Sequence, residues 1–146
     1  MSWILTLLAV FIAFGYSMYV RAILKGDADL MEKSLMATIA DWMVASGPKS
    51  RKRVWFTYWS SLVIELGYLY LALTTLDNMA LNFITAAVLG IEAYNMSKLH
   101  QRLWWFFHGK ITLGEVFVWK VERVSSMALF THAILVLLFP LANWLA

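Results

Sequence analysis

The sequence predicts an all-α integral membrane protein with four transmembrane helices, both termini outside and an amphipathic interfacial helix between spans one and two. Composition is the first reason: 62% of the 146 residues are hydrophobic and only 14% are charged, whereas a soluble domain is about half apolar. The apolar residues also form long runs, and every Lys and Arg lies between particular runs. After four spans no room remains for a soluble domain, so residues 1–146 are expected to form a single four-span membrane domain.

Each apolar run is long enough to cross the hydrocarbon core, which takes about 20 helical residues. The predicted spans cover residues 3–20, 54–76, 79–97 and 124–144. The first run lacks a preceding basic segment and a cleavage site of small residues, so we interpret it as a retained helix and not as a signal peptide. The link between the second and third runs is so short that it predicts a helical hairpin.

The basic residues predict the orientation. All twelve Lys and Arg residues lie in the segments 21–53 and 98–123. Because membrane proteins retain Lys and Arg on the cytoplasmic side, both segments are expected in the cytoplasm and both termini outside, in a bacterial inner membrane or that of a phage-infected cell. The net charge of +3 is therefore a topology signal, and no nucleic-acid partner is expected.

The first cytoplasmic segment contains a predicted surface helix. Asp27 or Asp29 can cap it, and Gly47-Pro48 ends it. Its apolar residues recur at three- and four-residue steps, with Glu32, Lys33 and Asp41 largely off the stripe, which is typical of a helix in the headgroup plane. The stripe consists of Met31, Leu35, Ile39, Trp42 and Met43.

A basic cluster directly precedes span two. It contains Lys49, Arg51, Lys52 and Arg53. We expect it to bind anionic lipid headgroups, at about 1 kcal/mol per basic residue. The alternative is that these charges only fix the orientation of the chain.

The second cytoplasmic segment begins as a continuation of span three. The helical pattern is predicted to run through Leu99, Leu103 and Phe106 and to break at His108-Gly109-Lys110. Thr112 and Glu115 have the spacing of a capping box, which predicts that the last helix begins at Thr112. The aromatic residues expected to anchor the chain at the interface are Trp104, Trp105 and Trp119.

Three ionisable side chains inside the spans form the predicted functional site: Glu65, Glu92 and His132. A charge at mid-bilayer costs at least about 2.5–3.5 kcal/mol, so these groups are expected to face the bundle and to be paired or neutral. Tyr68 and Asn95 share their helix faces. Ordered from the cytoplasm, the depths are Glu92, then His132, then Glu65, a ladder suited to relaying protons or binding a cation.

Two functions remain open from the sequence. The first is a channel or transporter for protons or cations, expected to be an oligomer because one small bundle encloses little space. The second is a non-catalytic subunit of a membrane complex or an oligomeric pore former, including the phage lysis type. In that case the buried Glu and His only hold the bundle together, through contacts worth about 0.6–2 kcal/mol each.

Other chemistries lack their residues. The chain has no Cys, its three His residues are dispersed, and it contains no Glu-x-x-His pair of the kind that binds a di-iron centre. It also lacks a Gly-rich phosphate loop and a Gly-x-Ser-x-Gly nucleophile motif. We therefore expect no enzymatic activity, no metal and no cofactor.

Overall fold

The computed structural model describes residues 3–145, with side chains described through residue 140. Met1, Ser2 and Ala146 lie outside the described residues, so the predicted location of the two termini concerns positions that the structure does not describe. Residues 3–145 contain α-helices and 3₁₀ turns and no strand, which confirms the all-α class. The helices are α1 Trp3–Lys25, α2 Ala28–Ser46, α3 Ser50–Thr75, α4 Met79–Phe107 and α5 Trp119–Leu145.

Within the described residues, three helices are long and apolar enough to span a membrane: α1, α4 and the part of α5 from Trp119 to Pro140. This finding agrees with the predicted membrane protein. The helix α3 has sufficient length, with 26 residues, but it is less apolar. Its first turn contains Arg51, Lys52 and Arg53, and its Trp and Tyr side chains combine an apolar body with a polar tip.

The four long helices form a ring in which α1 and α4 each contact both α3 and α5. The helices α3 and α4 form the predicted hairpin, joined only by the residues between Thr75 and Met79. Asn78 caps α4, because its side-chain oxygen accepts a hydrogen bond from the backbone N–H of Leu81 at 3.0 Å. The short link therefore fixes which levels of α3 and α4 lie opposite each other.

The helix α1 extends beyond its predicted span. It continues to Lys25 instead of ending at residue 20. Gly26 then turns the chain with φ +80°, a conformation that favours glycine. The helix α4 continues to Phe107 as the pattern predicted, and Gly109 with φ +72° follows it.

The predicted start of the last helix at Thr112 is wrong. The Thr112 hydroxyl donates to the side chain of Glu115 at 3.1 Å and accepts no bond from a helix N–H. The chain makes only the 3₁₀ turn Leu113–Glu115 before α5 begins at Trp119. The capping-box residues thus bond to each other, and the helix starts seven residues later.

The helix α2 lies at the end of the ring that contains the basic segments. It contacts α1, α3 and the 3₁₀ turn Leu113–Glu115. It ends at Ser46 as predicted, and Gly47 follows with φ +59°. Asp27 occupies the N-cap position but makes no side-chain cap bond. Glu32, which the pattern placed largely off the apolar stripe, is nevertheless buried, with only 4% exposure.

Arg123 of α5 explains the burial of Glu32. Its Nε donates to Glu32 Oε2 at 2.7 Å, and its Nη2 lies 2.7 Å from Glu32 Oε1 and 2.6 Å from Asp29 Oδ1. The Tyr19 hydroxyl of α1 also donates to Glu32. The Arg123 hydrogen bonds lower the pKa of Glu32 below its ordinary 4.5, because they favour the charged carboxylate. We call Asp29, Glu32 and Arg123 the α2 latch, and it joins the two basic segments at one end of the bundle.

Apolar packing inside the ring falls into two clusters. The larger fills the half away from the basic segments and includes Leu5, Leu69, Leu129 and Val136. The smaller lies at the basic end and contains Tyr58, Met96, Leu103 and Val116. Along α3 and α4, polar residues occupy the level between the two clusters.

Candidate functional site: an acidic cavity

A cavity of about 260 Å³ lies inside the basic half of the bundle. It is partly open, and residues from all five helices line it. The polar part of its wall contains Tyr16, Thr57, Tyr58, Ser61, Glu65, Glu92, Asn95 and Glu122. The helix α2 closes one side with Ile39, Trp42 and Met43. The apolar stripe predicted on α2 thus supplies part of the cavity wall.

Glu65 and Glu92 meet at the inner end of this cavity. Both side chains line it, close enough to interact electrostatically, and they are only 7% and 1% exposed. The Tyr16 hydroxyl donates to Glu65 Oε1, and the Ser125 hydroxyl donates to Glu92. Four helices, α1, α3, α4 and α5, therefore each contribute one group to the same contact.

Glu122 is the third carboxyl group of the cavity. It lies in the first turn of α5 and lines the same cavity as Asn95 of α4. Its charge also acts on Tyr16 and Glu65, which places the three carboxyl groups in one electrostatic cluster. We call Glu65, Glu92 and Glu122 the acidic cluster.

The acidic cluster has no positive partner inside the cavity among the residues that the structure describes. None of those that line the cavity is Lys, Arg or His. The second oxygen of Glu65, Oε2, has no donor partner among the described residues. An ionised carboxylate can only accept hydrogen bonds, so Glu65 and Glu92 cannot satisfy each other when both are charged. A proton shared between them, or a bound cation, satisfies both.

His132 lies in a separate polar site. Its Nδ1 is 2.6 Å from the Tyr68 hydroxyl, and its Nε2 is 2.7 Å from Thr85 Oγ1. Thr85 uses its one hydroxyl hydrogen to bond the carbonyl of Leu81 at 2.7 Å. The imidazole Nε2 must therefore donate to Thr85, and Nδ1 accepts from Tyr68. Both ring nitrogens are occupied, so a neutral ring completes this site without a carboxylate.

The predicted order of the ladder is wrong. The structure places Glu65 and Glu92 in one cavity, whereas His132 bonds to Tyr68 and Thr85 further from the basic end. The prediction counted the depth of Glu92 from a boundary at residue 97. Because α4 continues to Phe107, Glu92 lies near the middle of that helix, opposite Glu65. Of the predicted site residues, Glu65, Glu92 and Asn95 line one cavity, and Tyr68 and His132 form the second site.

Sequence reasoning missed two residues of the cavity, Tyr16 and Glu122. Glu122 was assigned to the segment 98–123, but α5 begins at Trp119 and carries it to the cavity wall. A signal was present, because Glu122, Ser125 and His132 recur on one face of a continuous helix. Tyr16 gave no comparable signal, since a single Tyr within an apolar run is ordinary.

A lateral groove lies between α1 and α3, on the outer side of the acidic cavity. Its volume is about 350 Å³. Phe11 and Phe56 line it and are themselves exposed, so it faces the outside of the bundle. The groove and the cavity share Tyr16, Thr57, Ser61 and Glu65. The hydrogen bond between Tyr16 and Glu65 therefore forms part of the wall between them.

The basic cluster is exposed where α2 meets α3; its members are Lys49, Arg51, Lys52 and Arg53. Arg53 Nη1 donates to Ser46 at 3.1 Å, and the guanidinium of Arg51 lies 5.8 Å from the centre of the Phe107 ring. Lys49 is the N-cap residue of α3 and the three others lie in its first turn, where the helix dipole is positive and disfavours cations. An anion bound there offsets the positive charge of these side chains and of the helix N-terminus.

The predicted interface aromatics lie close to the basic end. Trp104 stacks on His108 with ring centres 3.9 Å apart, and Lys110 Nζ lies 5.0 Å from its ring. Trp119 stacks on Phe117 at 5.1 Å, and Trp105 is half-buried.

Comparison of the chain with known protein families, curated proteins and solved structures found no match.

Proposed function

We propose that this chain is a multi-pass membrane protein that handles protons or cations at its acidic cluster. The observation that carries the proposal is the buried, unpartnered Oε2 of Glu65, which lies beside Glu92 in a cavity lined by no basic residue. Burying charge in a membrane protein is costly unless it is paired or neutralised. Each carboxylate here requires a proton or a cation, so the cluster can exchange one for the other.

The proposed topology has four spans, with α3 as the second, and both termini outside a bacterial-type inner membrane. Two observations support it. The helix α3 completes a ring with the three apolar helices, and Arg123 binds Asp29, which gathers the basic segments at one end. In this topology the acidic cavity lies in the cytoplasmic half, and α2 lies in the headgroup plane.

A pair of reporters tests the topology. We expect alkaline phosphatase fused after residue 146 to be active and green fluorescent protein fused there to be dark, because the C-terminus lies outside. The same reporters fused after Gly47 are expected to give the opposite result. A fluorescent C-terminal fusion contradicts the proposed orientation.

The residues of the two polar sites have different proposed roles. Glu65 and Glu92 bind the proton or cation, and Asn95 and Glu122 line the cavity beside them. We assign Tyr68 and His132 to the stability of the bundle, because their polar groups bond to each other and to Thr85. Since one ring of four helices encloses only a small cavity, the proposed assembly is a homo-oligomer or a subunit of a membrane complex.

Proton flux into liposomes tests the function. Replacing Glu65 by Gln removes the charge and keeps the shape, so the flux reported by an enclosed pH-sensitive dye is expected to fall at least about tenfold. The matched control is Glu115→Gln, the same change at an exposed carboxyl outside the cavity, which should retain wild-type flux. Absence of flux in the wild type, or an equal loss in both variants, rejects the proposal.

The lipid composition of the liposomes tests the proposed headgroup partner. The basic cluster is expected to bind anionic lipid headgroups more strongly than neutral ones, by about 1 kcal/mol per basic residue near the surface. Replacing Arg51 and Lys52 by Gln should remove part of that difference. If neutral and anionic lipids bind the protein equally strongly, the basic cluster only orients the chain.

The alternative function is a non-catalytic membrane subunit or an oligomeric pore former. The observation that favours it is the number of polar contacts that join helices without needing a ligand, such as the Tyr58 hydroxyl bonded to the carbonyl of Met96 at 2.9 Å. Such bonds serve to hold a bundle together. Dye leakage by the wild type that is unchanged by Glu65→Gln supports this alternative.

A further inference from the structure

We propose that the cation bound by the acidic cavity is a lipophilic organic monocation, such as an arylalkyl ammonium ion. Its charged head lies at the acidic cluster, and its apolar part lies against the aromatic side of the same cavity. This inference rests on the proposed function and names the substrate class of that site.

The size of the cavity argues for an organic ligand. A single water occupies about 10–15 Å³ on a comparable measure, whereas the cavity measures about 260 Å³. Sites for drug-sized molecules begin at about 300 Å³, so this cavity has room for an organic ligand smaller than those. In addition, no group of three His, Asp or Glu side chains in the described part of the chain is placed to hold a metal ion. The acidic cluster therefore suits a larger cation better than a chelated ion.

The lining is divided by polarity. The acidic cluster and Asn95 belong to the polar part of the wall described above, and the other lining residues are aromatic and aliphatic. That apolar part contains Trp42, Met43, Leu103, Phe106 and Phe117. Aromatic faces attract organic cations at about 0.5–2 kcal/mol per contact, and apolar walls with few polar groups are typical of small-molecule sites. A ligand with a charged head and an apolar body matches both parts.

The lateral groove supplies a route for such a ligand. A lipophilic cation concentrates in the bilayer, and the groove between α1 and α3 reaches Tyr16 and Glu65 from that side. Gly15 lies in the groove, and a side chain added there meets nothing within 4 Å. Opening the Tyr16–Glu65 hydrogen bond connects the groove with the cavity. When the cation binds, it replaces the proton that Glu65 and Glu92 share, so binding releases a proton.

Calorimetry on the full chain in nanodiscs of neutral phosphatidylcholine tests the substrate class. The probes are 2-phenylethylammonium, the uncharged 2-phenylethanol and the small cation methylammonium. We expect 2-phenylethylammonium to bind at least about tenfold more tightly than either comparison compound. Its binding heat should vary with the ionisation enthalpy of the buffer, because a proton is released. Glu65→Gln and Glu92→Gln should each weaken binding at least about tenfold, and Glu115→Gln should not.

The outcomes separate this inference from the proposed function. Equal affinity for 2-phenylethanol, or no binding of 2-phenylethylammonium by a wild type that still conducts protons, overturns the substrate class and leaves the proposed function standing. A wild type that neither binds 2-phenylethylammonium nor conducts protons overturns both the substrate class and the proposed function.

A second variant, Gly15→Leu, avoids the acidic cluster and fills the lateral groove. Stopped-flow quenching of Trp fluorescence should show slower association of 2-phenylethylammonium. The matched control is Gly90→Leu in the groove between α4 and α5, where the association rate should not change. Equal rates in both variants overturn the lateral route.

Discussion

Replacing His132 by Ala is expected to lower the free energy of unfolding by about 3–5 kcal/mol, the range for removing a large buried ring. His132 is 1% exposed, and its ring nitrogens bond to Tyr68 and Thr85. The substitution leaves a cavity beside Leu129 and Ala133, which are also buried. It also leaves the Tyr68 hydroxyl without its partner, which adds about 1–3 kcal/mol of desolvation if no water replaces the ring. Unfolding by sodium dodecyl sulfate in mixed micelles measures the change.

His108→Ala is the matched control, because His108 is exposed beyond the end of α4, where it stacks on Trp104 and its Nδ1 lies 2.7 Å from the Trp104 carbonyl oxygen. This substitution should lower the free energy of unfolding by less than about 1 kcal/mol, as most surface substitutions do. Folded His132→Ala protein should keep proton flux, since the acidic cluster is intact. A stable His132→Ala protein that has lost its flux would show that His132 belongs to the proton path and that our assignment is wrong.

Replacing Arg123 by Met is expected to release α2 from the bundle. Without Arg123, Asp29 loses its partner, and Glu32 keeps only the Tyr19 hydroxyl in a buried position. An unpaired buried carboxylate is unfavourable, so the helix should detach and Glu32 should become hydrated. Hydrogen exchange in nanodiscs should then be at least about tenfold faster for amides of α2, a locally unfolding unit, and unchanged in α4 and α5. Arg102→Met is the control, because Arg102 bonds only the backbone oxygen of Glu115.

Acidification should release the same helix without a mutation. The pKa of Glu32 lies below its ordinary value of 4.5 in the folded chain, so its contribution to docking is complete above that value. The contribution is lost as the pH falls through the lowered pKa, because protonation removes the charge that Arg123 binds. After correction for intrinsic exchange rates, protection of α2 should be constant from about pH 7 to 5 and should fall only in more acidic solution. A loss of protection near pH 6 contradicts the role of Glu32.

Release of α2 has a consequence for the acidic cavity. Ile39, Trp42 and Met43 form one side of it, so detachment of α2 removes the aromatic side chain of Trp42 from the wall. The Arg123→Met variant should therefore bind 2-phenylethylammonium more weakly even though the acidic cluster is unchanged. The latch thus connects surface charge with the site inside the bundle.

Much of the fold followed from local sequence patterns. The apolar runs gave α1 and the α3–α4 hairpin, and Gly47-Pro48 gave the end of α2. These features depend on neighbours within a few residues, through glycine conformations, capping and helical periodicity. The start of α5 at Trp119 was missed because a local pattern was misleading. Thr112 and Glu115 have the right spacing for a cap but bond to each other.

The candidate site could be predicted only in part. Periodicity correctly placed Glu65 and Glu92 on inward faces, since both are buried. It could not pair Glu32 with Arg123, because those residues are 91 positions apart and no local pattern links them. Nor could it separate His132 from the carboxyl groups.

The sequence by itself determined that this protein is all-α, that it contains helices apolar and long enough to span a membrane, and that its basic residues lie in two segments. Composition and periodicity depend on the sequence alone, so they are the same for any arrangement of the helices. The tertiary structure decided which polar side chains meet. The short link between Thr75 and Met79 places Glu65 of α3 opposite Glu92 of α4. Packing of α5 against the ring brings His132 to Tyr68 and Thr85. The relative height of packed helices depends on their links and contacts and not on the pattern within any one of them.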